Sequence, residues 1–222
     1  MWPLIIALVF FPQADAAATY QEQGTNPAYS IRLEFPETSD GAFNAAVRGL
    51  IDRKLAWFHD TLRNWHPALP VDSTLISQYD LAEVHQITTM LLKFEWYLAG
   101  SAHPAHELVC LNFDERNKRA LNFSDLFIPN TDYIAFLSQF ALADLTRQMK
   151  EGTYFSNPDM IEQGTAPKPQ NFQCFTLTPN ALVLHFQEYQ VGPYVSGPAK
   201  VVVPIAVIRH LLSPAVLALL EN

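Results

Sequence analysis

The densest set of potential ligands in this chain is His103-Pro104-Ala105-His106-Glu107. Two imidazoles three residues apart beside a carboxylate are donors that zinc accepts. Helical zinc hydrolases space their histidines at i and i+4, and Pro104 denies that scaffold. The segment is therefore expected to be a β-turn in which His103 hydrogen-bonds backbone and Glu107 opens a strand, with no metal and no cofactor. The carboxylates Asp80, Glu83, Glu95, Asp125 and Glu188 show no spacing that singles out an acid and base pair. No G-x-S-x-G elbow is present for a serine nucleophile. Tyr189 and Tyr194 lie on a loop with two Gly-Pro pairs, where they could stack on a sugar, fill a partner's pocket or pin the loop to a sheet. The candidate ligand-binding residues are thus His103, His106, Glu107, Tyr189 and Tyr194, and no catalytic residue is assigned.

These residues must be held by elements that the hydrophobic periodicity outlines. Tyr29 to Phe35 alternates as a half-buried strand, taken as the first of the mature domain. Phe43, Val47, Leu50, Ile51, Leu55, Phe58, Leu62 and Trp65 then mark a long amphipathic helix, capped by Ser39 or Asp40 and ended at Trp65-His66-Pro67. Its polar face carries Arg48, Asp52, Arg53, Asp60 and Arg63, read as a solvated face and not as a binding patch. Ser73 to Leu98 reads as two β segments turning near His85-Gln86, and Glu107 to Asp114 as their hairpin partner. A second amphipathic helix follows Thr131, read as its cap, and stops near Gly152. Asn157 to Gln170 reads as a loop. Phe172 to Thr176, Ala181 to Phe186 and Ala199 to Val203 are β-like, and Ile205 to Leu212 and Val216 to Leu220 are short helices. The fold class is α+β, with antiparallel sheets packed against two long amphipathic helices and short C-terminal helices.

A length of 222 residues supports one domain, expected over residues 19–222. The net charge of −8 provides no broad cationic surface, which disfavours nucleic acid and is compatible with a cationic partner. The apolar run Leu4 to Phe11, followed by Pro12 and small residues, predicts a signal peptide over residues 1–18, although no Lys or Arg precedes the run. The A-x-A pattern puts cleavage before Ala17 or before Thr19. The run is shorter than the ~20 residues that a membrane-spanning helix needs. A periplasmic or secreted protein without a transmembrane segment is expected. In that compartment Cys110 and Cys174, each in a strand-like segment, are either a disulfide or two buried thiols.

A resemblance enters with the last third. Phe175-Thr176-Leu177-Thr178-Pro179-Asn180-Ala181-Leu182, then Phe186, Tyr189, Val191-Gly192-Pro193-Tyr194, Gly197 and Val201-Val202-Val203-Pro204, resembles the RsiV-like domain of unknown function. Tyr97-Leu98-Ala99-Gly100-Ser101-Ala102-His103 is similar to that family's Tyr-x-x-Gly-Gly-Ala-His turn, with Ser101 in place of the second glycine. Leu121 to Phe127 is similar to its Leu-x-Asp-Leu-Phe segment. The pattern spans about residues 90–212. The family includes the extracellular lysozyme-sensing part of an anti-sigma factor and modules beside peptidoglycan deacetylase domains. The resemblance implies an exported cell-envelope binding module, with lysozyme or peptidoglycan as partner. Two alternatives stand beside it: a wall-modifying hydrolase, zinc-dependent or metal-free, using His103, His106 and Glu107, and a structural envelope protein with no catalytic site.

Overall fold

The computed structural model describes residues 16–65 and 71–221. The apolar run Leu4 to Phe11 and the helix-ending His66-Pro67 lie outside the described residues.

Alternating side chains build a hairpin from β1 (Ala16–Thr25) and β2 (Ala28–Glu37), joined through a cis Asn26-Pro27 bond. The sequence reading missed β1, because apart from Tyr20 its residues are small or polar and set up no apolar alternation. Ala17 and Ala18 pair with Pro36 and Phe35. Helix α1 (Gly41–Arg63) starts where the Asp40 carboxylate accepts hydrogen bonds from the amides of Ala42 and Phe43. An N-cap of this kind satisfies donors that the helix itself leaves open. The helix carries the chain back so that β3 (Ser73–Val84) runs parallel to β2, the crossover that parallel pairing requires. β4 (Ile87–Tyr97), β5 (Ala105–Asp114) and the short β6 (Arg119–Ala120) continue antiparallel, giving a six-stranded sheet in sequence order. The sheets are thus antiparallel apart from this one pair.

Helix α2 (Tyr133–Lys150) begins after Asp132 and not after a Thr131 cap, whose hydroxyl donates instead to the Ile128 carbonyl. The expected loop at 157–170 contains helix α3 (Pro158–Thr165) and a 3-10 turn at Pro169–Phe172. Asn157 caps Met160 and Pro158 takes the first helical position, a start signal that the surrounding polar residues masked. A second sheet, β7 (Phe175–Thr178), β8 (Ala181–Phe186) and β9 (Ala199–Pro204), is antiparallel throughout. Short helices α4 (Ile205–Ile208) and α5 (Pro214–Glu221) close the chain, with Ser213 Oγ accepting from the Val216 amide.

Two apolar cores result. α1 packs Phe43, Val47, Ile51, Phe58 and Leu62 on the first sheet, while α2, α3 and α5 pack on the second. Polar stitches join the sheets along β5. Asn112 Nδ2 donates to the Phe175 carbonyl, and Gln187 bonds both the amide and the carbonyl of Leu108. Beside them Cys110 and Cys174 form a disulfide.

Candidate functional site

The β4–β5 hairpin end and the Gly-Pro loop meet. Gly100 takes φ +88° in the tight turn between the strands, a conformation that favours glycine, whereas Ser101 keeps negative φ. A serine is therefore accommodated at position 101 without strain. The Ser101 amide donates to the Leu98 carbonyl, and His103 Nδ1 donates to the Pro104 carbonyl. His103 is thereby presented at the surface, its ring 3.9 Å from that of Tyr194.

The loop that brings Tyr194 there is fixed by its neighbours. Gly192 lies against the Tyr154 ring so closely that an added Cβ would come within 2.5 Å of its hydroxyl. Ser156 Oγ donates to the Val191 carbonyl at 2.5 Å, and Ser196 Oγ to the Phe155 carbonyl at 2.5 Å. Gln190 Nε2 donates to the carbonyls of Gly164 and Asn171. A backbone bound in this way is ordered, as two Gly-Pro pairs predict.

On the same side of β5, His106 sits between two carboxylates and below Tyr194. Its Nε2 lies 3.1 Å from Glu95, a cross-strand neighbour, and the rings of His106 and Tyr194 are 6.1 Å apart and nearly parallel. Glu188 Oε1 is 2.7 Å from Nδ1, a close approach outside hydrogen-bond alignment. Partial burial, with Glu188 and Glu95 nearby, pushes the Tyr194 phenol above its ordinary pKa, so it stays a neutral O–H donor. Tyr189 completes the cluster with its ring 6.0 Å from Tyr194. It is 58% exposed and holds φ +63°, uncommon for a bulky residue. Phe155 and Val195, 70% and 80% exposed, flank the same loop.

Glu107 does not join this set. Adjacent strand residues point to opposite faces, so His106 and Glu107 are separated by the sheet. Glu107 turns toward α1, where its carboxylate meets Lys54 Nζ at 2.8 Å. Among the described residues no three His, Cys, Asp or Glu side chains converge as a metal ion would need. The structure thus brings together His103, His106, Tyr189 and Tyr194, and sends Glu107 to the other face.

Lys54 is the residue that sequence reasoning missed. It is 8% exposed, with Nζ 3.7 Å from the Trp96 ring centre and 4.0 Å from that of Trp57, a cation–π arrangement. Burial pushes its pKa down, offset in part by Glu107. The signal was present, since the buried residues of α1 include Val47, Ile51, Lys54 and Phe58. A lysine in register with the apolar stripe of a helix is not a solvated residue.

Residues 124–206 match the family described as "Protein of unknown function (DUF3298)". The chain is 22% identical over 194 residues to the peptidoglycan-N-acetylmuramic acid deacetylase PdaC of Bacillus subtilis, covering 83% of this chain and 39% of that protein. The chain therefore spans about two fifths of that relative's length. It is 21% identical over 213 residues to the immunogenic protein MPT64 of Mycobacterium tuberculosis, covering 90% of this chain and 85% of that one. A crystal structure of a DUF3298 family member from Bacteroides fragilis superposes with a TM-score of 0.62 at 15% identity, covering 93% of this chain and 96% of that one. The matched segment, residues 124–206, contains the Gly-Pro loop with Tyr189 and Tyr194 and is similar to DUF3298, and the fold is shared with a solved DUF3298 protein.

Proposed function

We propose that this protein is an exported cell-envelope binding module that engages peptidoglycan through the face formed by His103, His106, Tyr189 and Tyr194. The observation that carries the reading is Tyr189, a largely exposed aromatic at positive φ beside the Tyr194–His103 stack. Packing does not explain it, because the ring is turned to solvent. An unfavourable backbone conformation that presents an aromatic ring is a pointer to binding. Aromatic faces with hydroxyl and imidazole edges suit sugar rings, which offer apolar C–H faces and polar rims. Similarity to a peptidoglycan deacetylase and the RsiV-like resemblance support the wall as the setting.

Lysozyme is a second partner reading, favoured by the net charge of −8, which complements a cationic protein. Pull-down of the full chain on purified sacculi and on immobilised lysozyme, at low and moderate salt, tests both. Retention on sacculi, reduced at least tenfold in Tyr194→Ala and Tyr189→Gly, is the expected result. Retention on neither support would defeat the proposal, and salt-sensitive retention on lysozyme alone would replace the glycan by the protein partner.

A further inference from the structure

The side of α1 that faces the β4–β5 hairpin end bears Leu50, Arg53, Lys54 and Trp57, spaced i, i+3, i+4 and i+7 along one stripe. With Trp96 and Glu107 they line a groove of about 680 Å³ on the sheet face opposite the Tyr194 cluster. That size falls within the ~300–1,000 Å³ of small-ligand sites. His106 borders both this groove and the smaller cleft behind it, so the two sides of the hairpin end form adjoining surfaces.

Three features indicate what the groove takes. Trp57 packs T-shaped on Trp96 at a ring distance of 5.0 Å and remains 37% exposed, so part of its indole is open to the groove. Two cations converge here although the chain as a whole is acidic. Glu107 is engaged by Lys54, whereas the exposed Arg53 has no ion pair among the described residues, so its guanidinium remains available to a ligand. A planar guanidinium recognises carboxylates through paired N–H donors.

From these we infer that the groove binds a saccharide bearing a carboxylate, its ring against Trp57 and its carboxylate on Arg53. Lys54, its charge balanced by Glu107, holds the two indoles in place at the groove floor and leaves Arg53 as the cation unpaired among the described residues. This rests on the wall-binding reading and names the sugar chemistry that the second face would recognise.

The test uses the full chain and three soluble probes: N-acetylmuramic acid, its neutral counterpart N-acetylglucosamine, and lactate, which carries the acid without the ring. Binding is followed by the indole N–H resonances and tryptophan fluorescence. The acidic sugar is expected to shift the Trp57 signal and to bind at least tenfold more tightly than the neutral one. Arg53→Gln should erase that preference, and Trp57→Ala should weaken both sugars at least tenfold. Arg53→Gln lies at an exposed position, Trp57→Ala also removes an indole face from Lys54, and a cooperative melting transition above the assay temperature shows that each variant is folded. Equal binding of the two sugars, lactate as tight as the acidic sugar, no binding, or full binding in both variants would overturn the inference. Sacculus retention separates it from the broader reading: retention kept in Trp57→Ala but lost in Tyr194→Ala removes the groove and leaves the wall reading. Acidic-sugar binding at Trp57 without sacculus retention does the reverse.

Discussion

Lys54 occupies a place where most helices put leucine. Removing an ammonium from water costs several kcal/mol, and here a carboxylate and two indole faces offset that cost. The partners are unequal, since the Lys54 side chain is 8% exposed and that of Glu107 44%. Solvent at Glu107 screens the pair, so its loss should cost less than that of a fully buried one. Glu107→Ala is expected to destabilise the protein by about 1–2 kcal/mol in urea unfolding, by leaving the ammonium without its carboxylate. Lys54→Met removes charge and desolvation together and fills similar space, so it should be neutral or slightly stabilising. If instead Lys54→Met costs more than Glu107→Ala, the stabilisation resides in the indole contacts and not in the ion pair.

The Gly-Pro loop is positioned by what packs beneath it, chiefly α3. Gly164 of α3 faces the loop so closely that an added Cβ would lie 1.9 Å from the Gln190 carbonyl oxygen and 2.6 Å from Val191 Cγ1. Helix propensity alone favours alanine over glycine by about 1 kcal/mol. A clash with backbone cannot be relieved by a rotamer change, and overpacking of this kind costs about 1–3 kcal/mol, so the clash should prevail. Gly164→Ala is accordingly expected to lower stability and to displace Tyr189 and Tyr194, seen as changed tyrosine ring resonances. A stabilised protein with unmoved tyrosines would contradict this packing. The polar 157–170 stretch, which reads as a connector, is thus a support for the Gly-Pro loop and the proposed binding face.

Two cores joined along β5 make the molecule depend on its inter-sheet links. The disulfide closes a loop with a sequence separation of 64. The chain-entropy model gives such a closure about 4 kcal/mol, and the double variant Cys110→Ala/Cys174→Ala should lose ~2–4 kcal/mol in urea unfolding. His185, on β8 between Thr176 and the charges of Lys200, Lys93 and Asp80, gives the fold a pH dependence. Burial, with the two lysines, lowers its pKa from 6.5 to about 4, so the folded protein keeps it neutral. Below pH 6.5 the unfolded chain takes up a proton that the fold refuses. Its contribution is therefore intact above 6.5 and is lost as pH falls toward about 4, by at most ~3 kcal/mol. Comparing urea midpoints of the wild type and His185→Gln from pH 7 to 4.5 isolates this part, because the carboxylates are common to both. Parallel profiles would show that His185 does not carry it.

Much of the architecture was written in short-range patterns. Apolar alternation located β2, β4 and β5, β-like composition located β8, helical spacing located α1 and α2, and the two Gly-Pro pairs announced an ordered loop, because each signal acts over a few residues. Strand β1 and helix α3 escaped, their small or polar side chains carrying little periodicity. The neighbours in His103-Pro104-Ala105-His106-Glu107 looked like one ligand set, yet strand geometry parts His106 from Glu107 while folding sets His103 on Tyr194, some ninety residues away. Local sequence fixes which side chains share a strand or a helix face. Which faces then meet depends on how sheets and helices pack, and that is a sum over contacts far apart in the chain.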